Sequence, residues 1–97
     1  MPQNPIVPRA GGGLSVLNIT AATVVKSSPG TIFRANVVVA GTAAGGVYDA
    51  SATSGNTAAN LVATLPDTLG PIELEFPCAN GILIVPGTGQ TIAVSYS

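Results

Sequence analysis

Residues 80–97 read NGILIVPGTGQTIAVSYS. Two apolar runs, Ile82–Val85 and Thr91–Tyr96, flank a Pro86-Gly87-Thr88-Gly89 turn. In the second run Ile92, Val94 and Tyr96 alternate with Thr91, Ala93 and Ser95, the period of two expected of a strand with one buried face. The first run differs: Ile82 and Ile84 oppose Leu83 and Val85, so both faces are apolar. An antiparallel strand of that kind needs cover on both sides. In one small domain the second cover has to come from a loop, a terminal arm or a neighbouring subunit, which makes Leu83 and Val85 candidate interface residues.

The same period recurs upstream. In IELEF (72–76), Ile72, Leu74 and Phe76 oppose Glu73 and Glu75; in TIFRANVVV (31–39), Phe33, Ala35, Val37 and Val39 oppose Arg34 and Asn36. Further strands are expected at Leu14–Ile19, Thr23–Val25, Gly46–Ala50 and Asn60–Leu65. In the last of these Leu61 and Leu65 could also share a helical face, but the segment is read as extended. Turn signals separate the strands at Ser28-Pro29-Gly30, Gly41-Thr42, Pro66-Asp67, Gly70-Pro71, Asn80-Gly81 and Pro86-Gly87. Seven or eight short strands at this spacing predict an all-β, antiparallel β-sandwich or jelly-roll-like domain over residues 14–97. Its expected core is Phe33, Val37, Val39, Leu74, Phe76, Ile92 and Val94. Residues 1–13, MPQNPIVPRAGGG, stand apart. Pro2, Pro5 and Pro8 favour extended backbone and Gly11–Gly13 a flexible joint. This N-terminal segment reads either as a disordered end or as an arm that docks on a neighbour through Ile6 and Val7.

Composition points to association. The 97 residues are 46% hydrophobic and only 7% charged, against roughly 25% charged in ordinary soluble domains. Seven charges cannot cover an isolated domain, and a net charge of −1 supplies little repulsion between copies. Either Thr, Ser, Asn and Gly keep the surface wet, or other subunits cover part of it. Arg9, Lys26 and Arg34 are too few for the phosphate contacts of nucleic-acid binding. No apolar run approaches the ~20 residues of a membrane-spanning helix. The N-terminus lacks the basic end and apolar centre of a signal peptide, so synthesis in a cytoplasm without export by that route is expected.

The residues offer little chemistry. Histidine is absent, which removes the commonest general base and metal ligand. GTAAGG and PGTGQ lack the context of a phosphate-binding loop and read as turns. Cys78 has no second cysteine to pair with, and an inert buried thiol is expected. Glu73 and Glu75, about 7 Å apart on one strand face, have the spacing of a glycosidase pair or half a calcium site. The plainer reading is a wet face paired across strands with Arg34 or Lys26. Asp67 after Pro66 reads as a turn former, and Asn18-Ile19-Thr20 matches a glycosylation sequon without a secretory signal to make it meaningful. Four aromatics, Phe33, Tyr48, Phe76 and Tyr96, are too few for a sugar-binding platform. No catalytic, cofactor or metal-binding residues are expected, and no enzyme.

PCANGILIVPGTGQTIAVSYS, with SPGTIFRANVVVAGTAAGGVYDA upstream, resembles the small virion proteins of tailed bacteriophages and prophages across residues 14–97. The likeness lies in the pattern of Gly, Pro and short hydrophobic runs and supplies no binding motif. It implies a viral structural protein: a capsid decoration or cement protein, or the base of a head fibre, often a homotrimer. Such a protein is made in the host cytoplasm and sits on the capsid surface of the virion, bound to the major capsid protein or another virion protein. A tail- or fibre-associated component and a non-catalytic carbohydrate-binding β-sandwich are the alternatives.

Overall fold

The computed structural model describes residues 13–97, and they are mostly β. Eight strands follow in order: β1 Leu14–Ile19, β2 Thr23–Lys26, β3 Gly30–Val39, β4 Gly45–Tyr48, β5 Leu61–Leu65, β6 Gly70–Cys78, β7 Ile82–Val85 and β8 Thr91–Tyr96. Each predicted strand is present within two residues at either end. The contested segment divides: Ala58–Asn60 makes a single 3-10 turn, and Leu61–Leu65 is extended.

The strands form two four-stranded antiparallel sheets, ordered β1-β8-β3-β6 and β2-β7-β4-β5. The pairs β1·β8, β2·β7, β3·β6 and β4·β5 are those of one long hairpin closed on itself, with β5 following β4 at its tip. Two further pairs, β3·β8 and β4·β7, join the hairpin's segments side by side into sheets. A single cluster of buried side chains draws on both sheets. Ile19, Ile32, Ala35, Val37, Cys78, Ile92 and Val94 come from the first, and Val47, Leu65, Ile82 and Ile84 from the second.

Of the expected core, Val37, Ile92 and Val94 are buried, and Leu74 packs partly against the cluster. Phe33 is half-buried. Val39 and Phe76, however, remain 48% and 42% exposed. A β-bulge explains Val39, and the edge position of β6 explains Phe76. Ile32 pairs with Phe76 and Arg34 with Glu73, so Leu74 and Glu75 together oppose only Phe33. Glu75 takes a left-handed backbone, φ 48°, to absorb the extra residue. Phe76, in register with the buried Ile32, nevertheless stays on the inner face, but β6 is a sheet edge, where only one neighbouring strand covers it. On β3, Phe33 and Val38 are extra residues against β8. The face read as Phe33-Ala35-Val37-Val39 is in fact Ile32-Ala35-Val37.

Candidate functional site

The loops and turns are occupied in holding the fold. After β4, the Asp49 carboxylate accepts three successive backbone N–H groups: Ala79 at 3.0 Å, Asn80 at 2.8 Å and Gly81 at 3.3 Å. Burial raises the Asp49 pKa, but the donors of Asn80, Ala79 and Gly81 outweigh it and hold the group below its ordinary 3.8. At the opposite end Gln90, 1% exposed, donates from Nε2 to the carbonyls of Pro66 (2.8 Å) and Leu65 (3.4 Å). Its Oε1 accepts the Gly87 N–H at 2.8 Å. Cys78 is buried, and burial together with the nearby Asp49 charge pushes its thiol up to about 11. That thiol is a core residue and a poor nucleophile.

The carboxylates do not assemble a site. Glu73 forms an ion pair with Arg34, its cross-strand partner, and both side chains are more than half exposed. This is the solvated pairing expected of the strand face. The bulge at Glu75 removes the regular spacing that placed Glu73 and Glu75 side by side. Among the described residues no three His, Cys, Asp or Glu side chains come together as a metal would require, and no helix is long and apolar enough to cross a membrane.

What stands out instead is a surface. Ala93 lies between the buried Ile92 and Val94, so it faces outward from the first sheet. It pairs with Asn36, which pairs in turn with Pro71. On the other side the bulge Leu17-Asn18 opposes Ala93, and Leu17 is 71% exposed. One step towards the loops, the bulge at Val38–Val39 leaves both valines exposed beside Thr91. Gly70 pairs with Val37, and Leu69, 68% exposed, immediately precedes it in the bend that leads into β6. Leu17, Ala93, Asn36, Pro71, Val38, Val39 and Thr91 thus cover one end of the outer face across all four strands without a charge, with Leu69 in the bend just before β6. Arg34 and Glu73, on the next row, neutralise each other.

The sheet's edges are closed to strand addition. β1 carries Asn18 at φ 59° in its bulge, and β6 carries Glu75 at φ 48° together with Pro71 and Pro77. Bulges and prolines on an edge prevent another strand from continuing the sheet.

The interface residues expected from sequence fare differently. Ile6 and Val7, with the arm they belong to, lie outside the described residues. Leu83 is 0% exposed within a single chain and has no surface to offer a neighbour. It lies in register between Val24 and Tyr48 on a central strand. Val85 is half-buried and pairs with Gly46, where a Cβ would sit 2.9 Å from the Tyr48 ring. The aromatic side chain thus lies along the outer face of β4. The Leu17–Leu69 surface was missed because its signals are bulges. One was visible: three consecutive valines, 37–39, cannot all point inward. Compared with known protein families, curated proteins and solved structures, the chain matches none.

Proposed function

We propose that the chain is a non-catalytic jelly-roll subunit of a tailed-bacteriophage particle, a decoration or cement protein that binds the outer surface of the head. The observation that carries this reading is the strand pairing. A long hairpin paired β1·β8, β2·β7, β3·β6 and β4·β5, with β3 meeting β8 and β4 meeting β7, supports reading the two sheets as a jelly roll. That architecture recurs in viral capsid proteins, lectins and cupins. A cupin's metal centre draws on histidines, and this chain has none. A lectin-like role would draw on aromatics or a carboxylate-lined loop, whereas Asp49 here binds backbone N–H groups and Glu73 binds Arg34. The uncharged face running from Leu17 to Leu69 suits contact with protein, in keeping with the virion resemblance of residues 14–97.

In this reading the subunit self-associates, with the trimer supplied by the resemblance, and its partner is the major capsid protein or another virion protein. Immunogold electron microscopy of phage particles from the strain that encodes the chain tests it. Label over the head is the expected result. Label confined to the tail would move the protein to the tail or fibre, and unlabelled particles together with binding on a glycan array would replace the structural role with carbohydrate recognition.

A further inference from the structure

We propose that Asn80–Gly81 is a latent deamidation site that the Asp49 carboxylate holds closed. The reaction needs no enzyme. The Gly81 backbone nitrogen loses its proton and bonds to the Asn80 side-chain carbonyl carbon, whose bond to the amide nitrogen breaks, and ammonia leaves. Water then opens the resulting succinimide at either carbonyl, giving aspartate or isoaspartate at position 80. Glycine after asparagine favours the ring because no side chain hinders the attacking nitrogen. The Asn80 side chain is exposed and its amide has no hydrogen-bond partner among the described residues, so the electrophile is free to turn.

The nucleophile is not free. The N–H of Gly81, the group that must deprotonate and attack, donates to Asp49 Oδ1, and the N–H groups of Asn80 and Ala79 are bound by the same carboxylate. Gly81 is also wedged: an atom at its Cβ position would lie 2.6 Å from the carbonyl oxygens of both Ala50 and Lys26. Reaching the Asn80 side chain requires the peptide to rotate, which breaks the Asp49 contacts and opens the turn between β6 and β7. Deamidation therefore proceeds from a locally opened state, at a rate set by how often the turn opens. The products would not return quietly. Aspartate at position 80 places a second negative charge beside Asp49, and isoaspartate adds a methylene to the main chain within the three-N–H clamp.

The site is tested by incubating the full chain at neutral pH and following the Asn80 peptide by mass spectrometry, with isoaspartate resolved chromatographically. The wild type should keep its amide, and D49A should convert Asn80 at least about tenfold faster. Because D49A also removes three hydrogen bonds that hold the fold, L65A, which empties a core position away from this turn, is the control for lost stability. Matched to D49A in melting temperature, it should convert Asn80 no faster than the wild type. Equal rates in the wild type and a folded D49A, or a rate in L65A equal to that in D49A, would overturn the proposal.

Discussion

Two polar side chains, Gln90 and Asp49, close turns in this fold through hydrogen bonds to main-chain groups. Gln90 follows Pro-Gly-Thr-Gly and has the appearance of an exposed loop residue, yet it is buried and joins the end of β5 to the turn before β8. Nothing local in the sequence marks the distance it spans, because Leu65 and Pro66 lie more than twenty positions upstream. Gln90→Leu keeps the bulk but strands the Gly87 N–H and two carbonyls. It should destabilise the domain by about 1–3 kcal/mol in urea denaturation, and a change below about 0.5 kcal/mol would mean that water replaces the amide. Asp49 makes a prediction against pH. Its folded-state pKa is depressed, so its contribution is present above the unfolded value near 3.8 and disappears as pH falls through the lower, folded value. Melting temperatures of wild type and Asp49→Asn should therefore differ at neutral pH and converge as pH falls below 3.8. A gap that persists in acid would assign the effect to shape rather than charge.

At the scale of elements, the strands were legible and their faces only partly so. Gly, Pro and Asn-Gly punctuation placed all eight, because turns impose local backbone demands that local sequence records. The faces depend on register, and one extra residue reverses every side chain beyond it. Ile92 and Val94 were assigned correctly because β8 is the regular strand, with the extra residues falling on its partners β1 and β3. Phe76 has its face as alternation predicts, opposite Ile32, but it was misplaced in the core because β6 is an edge strand, and strand order is not written in local alternation. Two comparisons check this account. Ile32→Ala, at a fully buried position, should cost about 2–5 kcal/mol. Phe76→Ala, on the half-covered edge, should cost clearly less, and equal losses would restore Phe76 to the core. The bulge on β1 can be tested at Asn18, where φ is 59°. Asn18→Gly should be tolerated, whereas Asn18→Val, forced into the left-handed region, should lose about 1–2 kcal/mol by thermal denaturation.

For the whole molecule, the charge deficit and the strand order bear on each other. A rolled hairpin leaves two sheets with outer faces, and a free domain ordinarily wets such faces with charge. Here the outer face of the first sheet presents Leu17, Val38 and Val39 with one internally neutralised ion pair, the exposed Leu69 stands just before β6, and bulges and prolines close both edges. The sequence disclosed the shortage of charge but not where the uncovered surface lies, since that depends on bulges that only pairing reveals. The surface most in need of cover is therefore the end that holds Val38, on β3, and Leu69, in the bend just before β6. Placing a lysine at each of these two positions should leave the circular dichroism spectrum unchanged, because both side chains already face water. If the face is where copies or a shell protein meet, the double variant V38K/L69K should sediment as a monomer at micromolar concentration while the wild type associates, and it should bind particles more weakly. A wild type that is itself monomeric would remove self-association and leave the shell as the only partner for this face. Undiminished particle binding by the folded double variant would move the contact elsewhere, with the opposite sheet the next surface to charge.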